Sequence, residues 1–260
     1  MVCTHESKQG CEYSGDWKDD LYNGEGQHKY VDFSYKGTFK DGKKHGEGKL
    51  VLHRDDDDDD GDAGDHVYEG SFVCDKFEGK GTYTWAANGG YYCGNWKDDA
   101  CDGQGKVYGP DGVLQYDGNW KDDEQHGEGK EYIGGKLRYE GSFKANYYDG
   151  KGKQYAPDGA SVLYEGEHEA GKRHGEGKEF FGHGDDATRL SYDGGFKENK
   201  YEGRGRKIHH YTQSYTTQEW TTTQEWHGIF KGGKKEGEGK LLEIKVMQIG
   251  TWKDDKLDKA

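Results

Sequence analysis

Three groups of side chains have the types and spacing from which a chemical site could be built. His45, His126 and His174 each stand directly before a Gly-x-Gly, and neutral imidazole is a common metal ligand. Asp55, Asp56, Asp57, Asp58, Asp59 and Asp60, followed by Asp62 and Asp65, form the strongest run of like charge. Cys3, Cys11, Cys74, Cys93 and Cys101 supply the soft ligands and nucleophiles.

Each group falls short on spacing. The three histidines occupy different copies of a repeat, which on strand geometry separates them by about 20–30 Å, far beyond a shared metal. They read as turn or strand-entry residues. His209 and His210 are adjacent, so on a strand they point to opposite faces. Asp56, Asp58, Asp60 and Gly61 imitate the first half of a calcium loop, but Val67 stands where a bidentate Glu is required. The run is therefore a solvated acidic loop or, alternatively, a docking strip for a basic partner. The five cysteines are odd in number and contain no CxxC pair, the pattern of free cytosolic thiols rather than of a disulfide or zinc framework. There is no nucleophile elbow, phosphate loop or HExxH, so neither a catalytic centre, a metal nor a cofactor is expected.

The elements that position these residues come from an internal repeat. Its pattern is an aromatic, Gly at +2, Trp or Phe at +4, and Gly at +11 and +13. Nine full copies open at Tyr13, Tyr35, Tyr68, Tyr92, Tyr116, Tyr139, Tyr164, Tyr192 and Trp226. Their second rings are Trp17, Phe39, Phe72, Trp96, Trp120, Phe143, Phe196 and Phe230, with His168 in the seventh copy, and Gly250 and Trp252 start a tenth. Positions i, i+2 and i+4 share one face of a strand but scatter around a helix. About six polar residues later comes Gly-x-Gly, then a second apolar group such as Tyr83, Tyr108, Tyr132 or Tyr155. Each copy is thus a β-hairpin, whose glycines leave room for rings to lie flat. The array predicts an all-β fold, an elongated single-layer antiparallel sheet of nine to ten stacked hairpins with the rings on one face.

Composition fits a thin folded ribbon. The chain is 30% hydrophobic but 14% aromatic, with 45 Gly against 2 Pro, so rings do the packing that aliphatics usually do. A net charge of -14 opposes nucleic acid and anionic membrane as bulk partners. No run is long enough to span a bilayer, and no integral membrane association is expected. Residues 1–12 form a lead-in, 13–255 the array and 256–260 a charged tail. Insertions fall at about 53–67, 182–190 and 209–225, where loops on one edge are either permissive or a binding side. In the last, Trp220 lies outside the repeat frame and either packs locally or acts as an exposed partner anchor.

The copies divide at +8 to +10. One class is basic, as in Lys43-Lys44-His45, Lys172-Arg173-His174 and Lys234-Lys235, joined less cleanly by Gln125-His126. The other pairs an aromatic or soft residue with an acid or amide, as in Tyr22-Asn23, Phe77-Glu78, Cys101-Asp102, Tyr148-Asp149 and Tyr201-Glu202. Charge pairing between neighbouring hairpins is the expectation, with partner recognition as the alternative.

The segment from Tyr35 to Gly48, Tyr-Lys-Gly-Thr-Phe-Lys-Asp-Gly-Lys-Lys-His-Gly-Glu-Gly, resembles the MORN repeat, and the resemblance extends over about residues 13 to 255. It implies a non-enzymatic scaffold or adaptor in a cytoskeletal assembly, foremost a ciliary or flagellar axoneme of the radial-spoke kind, in the cytoplasm. The partners implied are other structural proteins, a second MORN protein or another copy of the chain, held on the aromatic face and the edge loops. A peripheral adaptor for anionic lipid and a regulatory subunit of an enzyme are the alternatives.

Overall fold

The computed structural model describes residues 10–54, 64–86, 89–181, 189–215, 218–247, 251–253 and 256–258. At 54, 210–215, 218–221, 245–247, 251–253 and 256–258 it describes the backbone alone. The chain forms two compact units, Met1–Leu137 with Ser142–Asn146, and Arg138–Gly141 with Tyr147–Ala260.

The regular structure among the described residues is entirely strand. The first unit contains β1 (Glu12–Lys18), β2 (Leu21–Lys29), β3 (Phe33–Lys40), β4 (Lys43–Arg54) and β5 (Gly64–Val73). It continues with β6 (Lys76–Thr84), β7 (Tyr91–Lys97), β8 (Ala100–Tyr108), β9 (Leu114–Lys121) and β10 (Glu124–Ile133). Residues of β11 (Lys136–Lys144) belong to both units. The second unit contains β12 (Tyr147–Tyr155), β13 (Val162–Glu169), β14 (Lys172–Phe180) and β15 (Leu190–Lys197). β16 (Lys200–Tyr215), β17 (Gln218–Lys231), β18 (Lys234–Met247), β19 (Thr251–Lys253) and β20 (Lys256–Asp258) complete it. In the first unit each strand from β1 to β10 pairs antiparallel with the next in chain order. The same holds from β12 to β18 in the second. The fold is all-β, built of stacked MORN-type hairpins as the repeat requires.

The link inside a hairpin is shorter than the six polar residues expected. Two residues at +6 and +7 make the turn, as in Asp98 (φ 50°) with Asp99 (φ 73°) and Ala145 (φ 50°) with Asn146 (φ 67°). Two successive positive φ values define the turn whose twist matches that of paired strands, so the remaining polar residues join the strands. Nor is 209–225 a loop: β16 and β17 pair continuously from Gly203↔Phe230 to Tyr215↔Gln218. Around the first insertion, pairing continues to Arg54↔Gly64.

Two kinds of glycine serve each hairpin, where sequence suggested one. Gly37 and Gly48 face each other across β3 and β4, and a Cβ on Gly37 would come 2.6 Å from both Gly48 Cα and Tyr35 Oη. No side chain fits there, so the Tyr35 ring lies down over both residues and its hydroxyl donates to Thr38 O at 3.0 Å. Gly46, at +11, instead takes φ 64° where the register shifts, and a Cβ would meet nothing closer than 3.4 Å. Its role is conformational. Gly127 and Gly129 divide in the same way, so the expectation that both make space for rings holds for Gly129 only.

Candidate functional site

Laying each opening Tyr over glycine produces a row of edge-to-face rings within each unit. Tyr35 meets Phe39 and Phe72 with centroids 5.0 and 5.1 Å away. Tyr68 meets Phe72 and Trp96 at 5.1 and 5.4 Å, Tyr92 meets Trp96 and Trp120 at 5.1 and 5.4 Å, and Tyr116 meets Trp120 and Phe143, each at 5.2 Å. At the start of the row Tyr13 contacts Trp17 and Phe39. In the second unit Tyr139 meets His168, Tyr164 meets His168 and Phe196, and Tyr192 meets Phe196 and Phe230. Such pairs add about 0.5–1.5 kcal/mol each beyond area burial.

The rings bury one another. From Tyr35 to Tyr192 the opening tyrosines are 0–1% exposed, and Phe39, Phe72, Phe143, Phe196 and Phe230 are 1–3%. Among the described residues the rings therefore do not form the open aromatic face that was expected because a single layer cannot cover itself. Trp17, at 57%, is exposed. Trp96 and Trp120 donate Nε1–H to Gly81 O at 3.1 Å and Gly105 O at 3.3 Å, so these indoles sit in the row without an orphaned donor. Burial pushes the hydroxyl pKa of Tyr35, Tyr68, Tyr92, Tyr116 and Tyr164 well up.

The +9 position explains the two turn classes. Tyr22 stacks on Tyr13, Phe77 on Tyr68, Tyr148 on Tyr139 and Tyr201 on Tyr192, with centroids 3.7–3.9 Å apart. In the basic class a cation takes that place. Lys44 Nζ lies 5.9 Å from the Tyr35 centroid, Arg173 Cζ 4.7 Å from Tyr164, and Lys235 Nζ 4.9 Å from Trp226. Ring or cation, the residue covers the face of the opening aromatic. Charge pairing, the expected explanation, operates mainly elsewhere: Lys49–Glu69, Lys106–Asp117 and Lys153–Glu165 pair across strands at 2.6, 2.9 and 3.6 Å, and Lys76–Asp98 pairs at a turn at 2.7 Å. The cue to the +9 role was the Gly at +2 and +13, because a Tyr laid flat reaches toward the turn.

Successive hairpins are also tied at their turns. Asp75 Oδ1 accepts from Lys44 N at 2.9 Å while Asp75 N donates to Lys44 O at 3.0 Å. Asp99 with Phe77, Asp123 with Cys101, Asn146 with Gln125 and Asn199 with Arg173 repeat this reciprocal pair. Gly42, Gly171 and Gly233 keep only the backbone half.

A groove of about 970 Å³ opens in the first unit. Its apolar lining includes Trp85, Trp96, Val107, Val113, Trp120, Tyr132 and Ile133, and its acids are Asp99, Asp111, Asp123 and Glu131. Ile133 is 64% exposed. Cys101 and Gln125, the +9 residues of repeats four and five, also line it, and burial raises the Cys101 thiol to about 12.

The remaining sequence candidates do not converge. Asp55 to Asp60 lie outside the described residues, as do the side chains of Trp220 and Trp252. Among the described residues no three His, Cys, Asp or Glu side chains gather as a metal site. His174 instead pairs with Glu169 at 3.0 Å. Cys74, Cys93 and Cys101 are free, but Cys11 is disulfide-bonded, which corrects the reading of all five as thiols. Its sulfur lies 3.3 Å from His28 Nε2.

Repeated hairpins, glycine-floored rings and a side groove define a β-repeat protein. The model of the MORN repeat matches nine segments, 13–34, 35–52, 68–89, 92–113, 116–135, 139–161, 164–185, 192–208 and 226–242. The chain belongs to the MORN-repeat family. It is similar to alsin from Rattus norvegicus, 32% identical over 96 residues, which is 36% of this chain and 6% of that protein. Alsin from Homo sapiens is 31% identical over 96 residues with the same coverage. The chain thus spans a small fraction of these relatives.

Proposed function

We propose that the chain is a scaffold or adaptor that holds partner proteins on its repeats and performs no catalysis, as is general for MORN repeats. The observation that carries this reading is the fate of the rings. They are consumed in packing one another, which builds a stiff platform, and the groove of the first unit offers an apolar lining that includes the exposed Ile133. An interfacial role accounts for such a surface. The assembly we infer is cytoskeletal, foremost a ciliary or flagellar axoneme, by analogy with the family.

Trp96 is a poor probe of this function because it is buried among the rings. Ile133→Asp and Val113→Asp alter the groove wall instead. In a ciliated cell, tagged wild-type protein is expected in detergent-extracted axonemes, with the variants lost from them although equally folded. Retention of both variants removes the groove from the reading. Wild-type protein wholly in the detergent-soluble fraction removes the axoneme.

A further inference from the structure

The ring face of the first unit changes at repeats four and five. Repeats one and three cover their opening tyrosines with Tyr22 and Phe77, and repeat two with Lys44. Repeats four and five carry Cys101 and Gln125 at that position, neutral side chains that are neither a ring nor a cation. The groove lies where these two residues stand.

Its charge is one-sided. Asp99, Asp111, Asp123 and Glu131 line it, with no Lys, Arg or His among its described lining residues. Three of the carboxylates are oriented through Oδ1 by backbone amides: Asp99 accepts from Phe77 N at 2.7 Å, Asp111 from Val113 N at 3.0 Å and Asp123 from Cys101 N at 2.7 Å. Fixed carboxylates beside the half-buried indoles of Trp85 and Trp120 and the exposed Ile133 suit a guanidinium or ammonium group, and fixing them beforehand lowers the ordering cost of binding. They repel an anionic lipid surface, and the net charge of -14 opposes a second copy of the chain.

We propose that this groove docks a segment of a partner protein in which Lys or Arg side chains are interspersed with large apolar ones. The partner's cations meet Asp99, Asp111, Asp123 and Glu131, and its apolar side chains meet the wall that includes Val113 and Ile133. This rests on the reading of the chain as a partner-binding scaffold and names the chemistry of the partner.

Full-length protein titrated with a labelled peptide alternating Arg and Leu tests it, against the same peptide with Glu for Arg. Anisotropy and quenching of tryptophan fluorescence are read. Cys101→Tyr and Gln125→Tyr copy Tyr22, Tyr148 and Tyr201 of other repeats, fill the groove and leave the net charge unchanged. The Arg peptide is expected to bind preferentially, with each filled variant about tenfold weaker at an unchanged melting temperature. Equal binding of the two peptides, or undiminished binding by the folded variants, overturns the proposal. Should the filled variants unfold, Asp111→Asn with Glu131→Gln decides, since full affinity in that protein is equally fatal. Competition by anionic vesicles for the same site, or self-association through it, also overturns it. Wild-type protein that fails this titration yet still enters the axoneme leaves the scaffold reading standing.

Discussion

The guanidinium of Arg173 lies over the ring of Tyr164, 4.7 Å from its centroid. The same side chain donates to Gln154 Oε1 at 2.9 Å and Glu179 Oε1 at 2.7 Å, and Glu179 accepts in turn from Tyr201. Arg173→Ala uncovers Tyr164 and strips a half-buried carboxylate of its counter-ion. We expect a loss of about 2–3 kcal/mol in urea unfolding. Arg173→Lys keeps the charge but not the fork, at a cost of about 1 kcal/mol.

The glycines of one hairpin respond differently to substitution. Gly129→Ala places a Cβ against the hydroxyl of Tyr116 and lifts a ring that is 1% exposed, for a loss of about 2 kcal/mol or more by overpacking. At Gly127, φ 65°, the nearest atoms to a new Cβ are 3.5 Å away, so Ala incurs only the left-handed penalty of about 1–2 kcal/mol. Asn at 127 recovers most of that, whereas Asn at 129 is worse than Ala. Thermal melts of the four variants check the order.

His168 makes the protein sensitive to acid. It is 4% exposed between Tyr139, Tyr148 and Tyr164, and desolvation first, then Arg173, lowers its pKa to about 4. Neither ring nitrogen has a hydrogen-bond partner of good geometry. The folded pKa lies below the unfolded value of 6.5, so the unfolded state binds the proton first. The histidine's neutral-pH contribution is present above pH 6.5 and is lost as pH falls toward 4, by about 3 kcal/mol in all. His168→Phe, which restores the family ring, is expected to flatten melting temperature against pH across that window. An unchanged slope counts against this role.

The turn tie of repeat six is separable into two halves. Asn146 Oδ1 accepts from Gln125 N at 2.8 Å, and Asn146 N donates to Gln125 O at 3.2 Å. Asn146→Gly loses the side-chain bond alone, about 1 kcal/mol, and copies Gly42, Gly171 and Gly233. Asn146→Ala adds left-handed strain at φ 67° and is the less stable of the two. Exchange of the Gln125 amide, followed by NMR, is expected to quicken in both.

The hairpin array was legible because three spacings, Tyr to Gly, Gly to ring and Gly to Gly, are fixed by strand geometry and recur without drift. What those spacings do in three dimensions was less so. The period alone cannot distinguish Gly127, which needs a positive φ, from Gly129, which needs an absent Cβ. Burial of the rings was missed because the glycines indicate a ring lying flat, but the spacing within one copy does not show that Trp120 and Phe143 meet Tyr116 edge-on. Lys44 and Arg173 read as partners in charge pairs between hairpins since sequence shows their type and not the ring beneath. The groove is marked in sequence only by two departures at +9, Cys101 and Gln125, and these acquire meaning once stacking at that position is known.

Opposed glycines meet at every interface in the first unit, as in Gly37↔Gly48, Gly48↔Gly70, Gly70↔Gly81 and Gly81↔Gly94. Excision of 68–91, from one opening tyrosine to the residue before the next, would bring Gly94 opposite Gly48 with every later pairing intact. The gene for such a chain can therefore shrink or grow by whole modules through unequal recombination, each product entering selection already able to fold.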